Sequence, residues 1–392
     1  MTQIENIPFS RPYIKKEEEE AVLHVLRSGW LTTGQETIAF EKEFAEFFGE
    51  KDITALAVNS ATSGLHLALE ACGIKSGDVV LVPSYTFTAT AEAVHYLQAD
   101  VAFVDVAPDT FHIDVNSLEK AMKNIKWGRV KAIIPVHYAG FARNMPEILN
   151  FAKKYDLKVI EDSAHSFPSQ LKDGSWAGTL GDVGVFSFYA NKTITTGEGG
   201  MVVSRNPAII ERIKITRSHG IDKSVWNRYI DNRATWYYQV VEMGYKYNIT
   251  DVLATIGRVQ LSRAMDLLKM REEIAFLYDE AFRGDEYFTI PDTGTGDARH
   301  IYPIRLNLDK LSISRDEFIE KVKSEGIGVS VHFIPLHTMP YYKNRYSLQD
   351  NDFPETIKSF NRVISIPIWA GMEKSHIDRV ISVFKTIARQ RA

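Results

Sequence analysis

Between Ile53 and Ser204 the chain alternates short, almost wholly apolar runs with stretches of helical period, and this alternation is what most limits the folds open to it. "ITALAV", "VVLVP", "VAFVDV", "VKAIIPV", "LKVIED", "GVFSF" and "GMVVS" read as strands, with "ATSGLHLALEAC" and "TATAEAVHYL" as helices between the first three. Strands apolar on both pleats cannot leave one face in water, so they predict a mostly parallel sheet covered by helices on both sides. In such sheets ligands bind beyond the carboxyl ends of the strands. Near Thr250 the pattern changes. Residues 251–282 read as one long helix, and "RHIYPIRLNL", "SRDEFIEKVKSEG", "VSVHF" and "HIDRVISVFKTIARQ" follow as strand, helix, strand and helix. The expected division is an N-terminal segment and large α/β domain over residues 1–250, and a small C-terminal α+β domain over 251–392.

The rest of the composition excludes more than it proposes. A formal charge of -4 with interspersed acids and bases offers no footprint for nucleic acid. Cys72 is the single cysteine, so neither an intrachain disulfide nor a cysteine-based zinc site is expected, and no metal is. The opening "MTQIENIPFSRP" lacks a signal-peptide pattern, and no apolar run approaches the roughly 18 residues of a membrane span; a cytoplasmic protein with small-molecule and protein partners is expected. The charge run "KKEEEE" at 15–20 reads as a solvated helix start, its acids near the positive end of the dipole.

Four strand ends carry polar or aromatic residues that a buried sheet would not otherwise keep. After "ITALAV" comes "NSATSG", residues 59–64, where hydroxyls and the N–H groups of a helix start could hold a phosphate or simply cap the helix. After "VVLVP", Tyr85 and Phe87 stand at the rim; either could stack on a planar ring or belong to the core. After "LKVI" the segment "EDSAHS" crowds Glu161, Asp162 and His165 onto a buried end. A buried carboxylate needs a partner. For Asp162 that partner could be a protonated pyridine nitrogen, a helix start or a structural cation. Lys192 follows in the loop between "GVFSF" and "GMVVS", beside Gly197, Gly199 and Gly200, which permit close backbone approach. A lysine that forms a Schiff base must be available as the neutral amine, and partial burial favours that form. Ser187, one pleat before the loop, is placed to reach the same phosphate as Thr62.

"EDSAHS", "GDVGVFSFYANKTITTGEGGMVV" and "GYKYNITDVLATIGRVQL", with "IPFSRPYI" and "SGWLTTG" near the start, resemble the DegT/StrS family of pyridoxal-phosphate (PLP) sugar aminotransferases through nearly the whole chain. The resemblance implies the aspartate-aminotransferase-like fold (PLP fold type I), with a large, mostly parallel seven-stranded sheet and a smaller C-terminal α+β domain. It also implies a homodimer with active sites at the subunit interface. Lys192 would be the Schiff-base lysine and Asp162 the partner of the pyridinium nitrogen. Phe87 would stack on the ring, Thr62, Ser63 and Ser187 would hold the phosphate, and His165 would sit near the ring hydroxyl. Relatives with "GYNYR" reach the neighbouring subunit's phosphate site with the asparagine; here Lys246 stands in that place, and Asn248 is the candidate to take over the role. A branch of the family with histidine for the lysine performs dehydration, which the presence of Lys192 disfavours.

The implied reaction moves an amino group from an amino acid, L-glutamate by resemblance, to a nucleotide-linked keto-deoxysugar, at C4, for amino-sugar and surface-polysaccharide synthesis. Arg217, Arg228 and Arg233, with Trp226 and Trp236, could serve the diphosphate or be solvated loop residues; Arg233 is the preferred candidate. Among His332, His337 and Tyr341, His332 is the candidate to face the sugar. A PLP-dependent sugar dehydratase, an inosose aminotransferase and a catalytically idle ligand-binding regulator are the alternatives. A nicotinamide dehydrogenase would need a G-x-G-x-x-G turn after the first strand, and none is present.

Overall fold

A computed structural model of the chain describes residues 6–222, 237–292, 294 and 296–390. The seven apolar runs form seven strands: β1 (Thr54–Val58), β2 (Asp78–Pro83), β3 (Asp100–Val104), β4 (Arg129–Ile133), β5 (Lys158–Asp162), β6 (Val183–Ser187) and β7 (Gly200–Ser204). They join in one sheet in the order β1-β7-β6-β5-β4-β2-β3. β7 is antiparallel to both neighbours and the remaining pairings are parallel, so the fold is the expected mostly parallel sheet. Period-two alternation divides its side chains between two apolar layers. Val80, Val82 and Val185 face one, while Val79, Leu81 and Val159 face the other.

The direction of β7 is what assembles a site. Because it runs against β1 and β6, its first residue, Gly200, pairs with the last residues of both, Val58 and Ser187. The carboxyl ends of β1, β2, β5 and β6 and the start of β7 therefore share one edge. A Cβ on Gly200 would lie 2.8 Å from the Ala61 nitrogen and from the Phe186 carbonyl oxygen, so only glycine lets the helix Ala61–Ala71 begin so close to the sheet.

The second, antiparallel sheet has the order β10-β9-β8, from β8 (Phe288–Thr289), β9 (Tyr302–Leu306) and β10 (Val363–Ile366). Tyr278 and Phe282 from the helix Ala264–Phe282, Phe318 from Arg315–Ser324 and Phe384 from Lys374–Ala388 pack with Phe288, Ile304 and Ile364 in its core.

Three local readings are corrected. Residues 251–282 are not one helix: Asp251–Ser262 and Ala264–Phe282 meet at Arg263, whose φ of -115° and ψ of 12° interrupt the spiral. The break lets the first helix pack against the N-terminal helices while the second carries Tyr278 and Phe282 into the small sheet's core. "VSVHF" is not a strand; Ser330 makes one isolated bridge to Ser365, and the chain then turns away. The His332 carbonyl accepts hydrogen bonds from the Tyr85 and Tyr138 hydroxyls, at 2.7 and 2.6 Å, instead of a strand partner. In the N-terminal helix Lys16–Ser28, Glu18 is buried rather than solvated, accepting hydrogen bonds from Gln260 and Arg263. Among the described residues no helix is long and apolar enough to cross a membrane.

Candidate active site

At the shared edge lies a cavity of about 440 Å³ whose wall includes Thr62, Phe87, Asp162, His165, Ser187, Lys192 and His332. They come from five segments: the ends of β1, β2, β5 and β6, and the stretch around residue 332. Ser60 caps the helix Ala61–Ala71, its Oγ accepting from the Ser63 nitrogen at 3.1 Å, and Ser60, Ala61 and Thr62 present the helix start to the cavity. Ser187, at the end of β6, stands beside it. A helix start flanked by hydroxyls favours an anionic group.

Phe87 follows β2 and is 56% exposed for its size, with its ring 5.7 Å from that of Phe333. Tyr85, two residues earlier, lies in the core, stacked on Phe111 at 5.1 Å. Of the two rim aromatics, therefore, Phe87 alone offers a face to a ligand.

Asp162 ends β5 and is buried. Thr90 Oγ1 donates to Oδ2 at 2.8 Å and the Ala164 nitrogen to Oδ1 at 3.2 Å. Burial raises its pKa, and the two hydrogen bonds and the nearby Lys192 oppose the rise. Glu161 points to the other face, where His137 Nε2, at 2.7 Å, and the backbone nitrogens of Gly178, Leu180 and Gly181 surround its carboxylate. Glu161 holds the 178–181 turn. Asp162 has no such set and keeps a side open to the cavity.

Lys192 is half-buried by surface area, its remaining exposure being to the cavity it lines, yet the amine is enclosed closely enough for desolvation to lower its pKa to about 7. Asp162 pulls the value up and Arg271 pushes it down. Three histidines gather around the amine. His165 accepts a hydrogen bond at Nδ1 from the Ala139 nitrogen, at 3.3 Å, and burial holds its pKa well below the usual range. His332 Nδ1 lies 2.9 Å from Ser365 Oγ, and burial lowers its pKa to about 4. His300 Nε2 is 3.4 Å from Lys192 Nζ.

The remaining candidates fall elsewhere. Ser63 is turned into the helix cap, its Oγ donating to Asn59 Oδ1 at 2.7 Å, and does not line the cavity. The Asn248 amide donates to Thr33 Oγ1 of the same chain at 2.6 Å, also off the cavity wall. Arg217 is taken up by Glu41 and the Ala57 carbonyl. His337 is buried against Ser84, while Tyr341 is exposed beside His95. Trp226, Arg228, Arg233 and Trp236 lie outside the described residues. Thr90 and His300 escaped the sequence reading. Thr90 sits five residues past the rim aromatic Tyr85, which is a usable signal; His300 has only its position before β9.

The chemistry of these groups matches PLP: a hydroxyl-lined helix start suits the phosphate, an exposed aromatic face the ring, a buried carboxylate the ring nitrogen and an amine of lowered pKa the aldehyde. The family model of the DegT/DnrJ/EryC1/StrS aminotransferases matches residues 12–385. An uncharacterised protein of Methanocaldococcus jannaschii, MJ1066, is 44% identical over 386 residues, covering 98% of each chain. The spore coat polysaccharide biosynthesis protein SpsC of Bacillus subtilis is 40% identical over 387 residues, covering 98% of this chain and 97% of its own. Among solved structures, the putative sugar aminotransferase Spr1654 of Streptococcus pneumoniae in its pyridoxamine-phosphate (PMP) form superimposes with a TM-score of 0.88 at 30% identity, covering 98% of this chain and 99% of its own. The same protein is also known in its PLP form. Fold, cavity and sequence agree, and the chain belongs to the DegT/DnrJ/EryC1/StrS aminotransferase family as a PLP-dependent sugar aminotransferase.

Proposed function

We propose that the protein transfers the amino group of L-glutamate to the C4 ketone of a nucleotide-linked keto-deoxysugar, supplying an amino sugar for a surface polysaccharide. The observation that carries this reading is an amine of lowered basicity, Lys192, in one cavity with a buried carboxylate, Asp162, and an exposed ring, Phe87. The likeness to a spore coat polysaccharide protein supports the destination of the product.

Bound PLP supplies an electron sink for the carbon that loses its proton. Asp162, held by Thr90 and the Ala164 nitrogen, would pair with the ring nitrogen. Ser60, Thr62 and Ser187 would hold the phosphate, and Phe87 would offer its face to the ring. Lys192 Nζ takes the proton from the α-carbon of glutamate and, in the second half-reaction, delivers one to the sugar carbon that gains nitrogen. The sum converts an amino acid and a ketone into a 2-oxo acid and an amine, so no outside oxidant is required. Arg233 is proposed for the diphosphate and His332 for the sugar.

We further propose a homodimer that completes each cavity at the interface, with Asn248 or Lys246 as the residue offered to the partner. Exposed Val240, Val241 and Met243 support such a face, because they precede the segment whose Tyr247 carbonyl binds the Asn59 nitrogen beside the cavity.

The test begins with the absorbance of the purified protein with PLP, before and after L-glutamate. Conversion from the lysine-linked to the pyridoxamine form is expected. A panel of UDP-, dTDP- and GDP-linked 4-keto and 3-keto sugars then reports the acceptor by NMR of the product. Amination at C3, or of a free inosose, would overturn the substrate assignment; no spectral change with PLP would overturn the role of Lys192.

A further inference from the structure

His300 lies next to the reacting amine in a setting that a merely structural histidine would not need. Its backbone is pinned at both ends: its nitrogen donates to the Ala139 carbonyl at 3.1 Å, and its carbonyl accepts from Arg271 at 3.1 Å. The ring is buried, with its centroid 4.3 Å from that of His165. Nε2 stands 3.4 Å from Lys192 Nζ, and among the described residues Nδ1 has no hydrogen-bonding partner. Lys192 Nζ in turn has His300 as its one hydrogen-bonding partner there.

The two ring nitrogens decide the proton's place. A buried N–H without an acceptor is rare, more so than an under-satisfied acceptor. If Nδ1 carried the proton, that N–H would be stranded. With the proton on Nε2, it has a partner in the lone pair of Nζ, a pairing open only to a neutral amine. The surroundings agree. Arg271 is buried and donates to the carbonyls of Arg299, His300 and Ile368, adding a cation that disfavours a second positive charge nearby. The charged and titratable groups facing the pair are Asp162, Arg271, His165 and His332; burial keeps both histidines neutral near pH 7.

We infer that His300 is a positioning residue whose Nε2–H donates a hydrogen bond to the lone pair of the released Lys192 amine, giving the free base a fixed resting place beside the substrate carbon until that lone pair turns to take the proton. This rests on the assignment of Lys192 as the base. Arg271 and the Ala139 carbonyl fix the donor, so the released lysine has one defined resting place.

The test reads the tautomer directly. Cofactor-free protein labelled with 15N-histidine is examined at neutral pH, with the His300 signals assigned by their loss in His300→Gln. A proton on Nε2 with a bare Nδ1 is expected. A proton on Nδ1, or on both nitrogens, overturns the inference. A functional readout separates donor from filler. His300→Gln retains an N–H at the end of a side chain of similar reach, whereas His300→Phe does not. In single turnovers with L-glutamate, His300→Phe should move the acid limb of the rate to higher pH with little change in half-saturation, and His300→Gln should restore it. An unmoved or lowered limb in His300→Phe also overturns the inference. Failure of PLP to form the lysine-linked absorbance band would instead count against Lys192, leaving the tautomer result to stand alone.

Discussion

Lowered basicity of Lys192 makes the first half-reaction pH-dependent in a way that can be worked out in advance. In the proposed reaction the amine acts as the free base, and its pKa is depressed to about 7 by burial. Relative to an ordinary lysine near 10.5, this raises the free-base fraction at pH 7 from about 0.03% to about half, a gain on the order of 10³. The sign follows. Activity requires deprotonation, so the rate should fall about tenfold per pH unit below the pKa and level off above it. The assay is stopped-flow absorbance of the PLP-loaded enzyme mixed with saturating L-glutamate, from roughly pH 5.5 to 8.5, so that neither the second substrate nor product release enters. Asp162→Asn sharpens the test. Asp162 pulls the lysine's pKa upward, so removing its charge should shift the limb to lower pH even as loss of the ring-nitrogen partner slows the reaction. A flat profile, a limb near the ordinary lysine value, or an upward shift in Asp162→Asn would refute the reasoning.

Other substitutions test the frame around the cavity. Asp251→Ala removes the acceptor for the Gly34, Glu36 and Thr37 nitrogens and the Thr37 hydroxyl; it should lower stability by about 2–4 kcal/mol in urea unfolding while leaving the cofactor spectrum intact. Phe87→Ala should weaken PLP affinity by about 0.5–1.5 kcal/mol, or about two- to thirteen-fold, in a fluorescence titration; unchanged affinity would remove Phe87 from the ring. Gly200→Ala forces a Cβ to within 2.8 Å of the Ala61 nitrogen and should lower stability by about 1–3 kcal/mol. It should also reduce the rise in Tm that added PLP produces, because the phosphate-facing helix start is displaced.

Much of this was legible because strands buried on both faces leave an unbroken apolar record, and all seven strands of the large sheet are where that record puts them. The residues at their ends were visible as interruptions. What sequence could not resolve was which of two neighbours faces the ligand. Glu161 and Asp162, like Tyr85 and Phe87, differ by the pleat or by one turn, and only the finished sheet assigns one of each pair to the core. Long-range partners were invisible for another reason. Asp251 caps a helix that begins 216 residues earlier, at Gln35, and His300 meets Lys192 across 108 residues. Neither residue type nor local pattern announces such a meeting. The break at Arg263 was likewise hidden, since both halves have good helical period and the reason to part lies in two different packing partners.

The cavity solves an electrostatic problem that the same residues in water would not face. The proposed chemistry needs Asp162 charged for the ring nitrogen and Lys192 uncharged beside it, although a bare pair of that kind would favour an ammonium–carboxylate salt bridge. Hydrogen bonds from Thr90 and the Ala164 nitrogen stabilise the carboxylate without supplying a proton to it. On the other side stands Arg271, whose charge is spent on three carbonyls rather than on a carboxylate and disfavours a second cation nearby. Around the amine His165, His300 and His332, all held below their usual pKa by burial, stand as neutral dipoles. Were any of the three protonated, it would set another cation beside Lys192. Their burial therefore serves the proposed reaction, because it keeps added charge away from the amine that would move the proton.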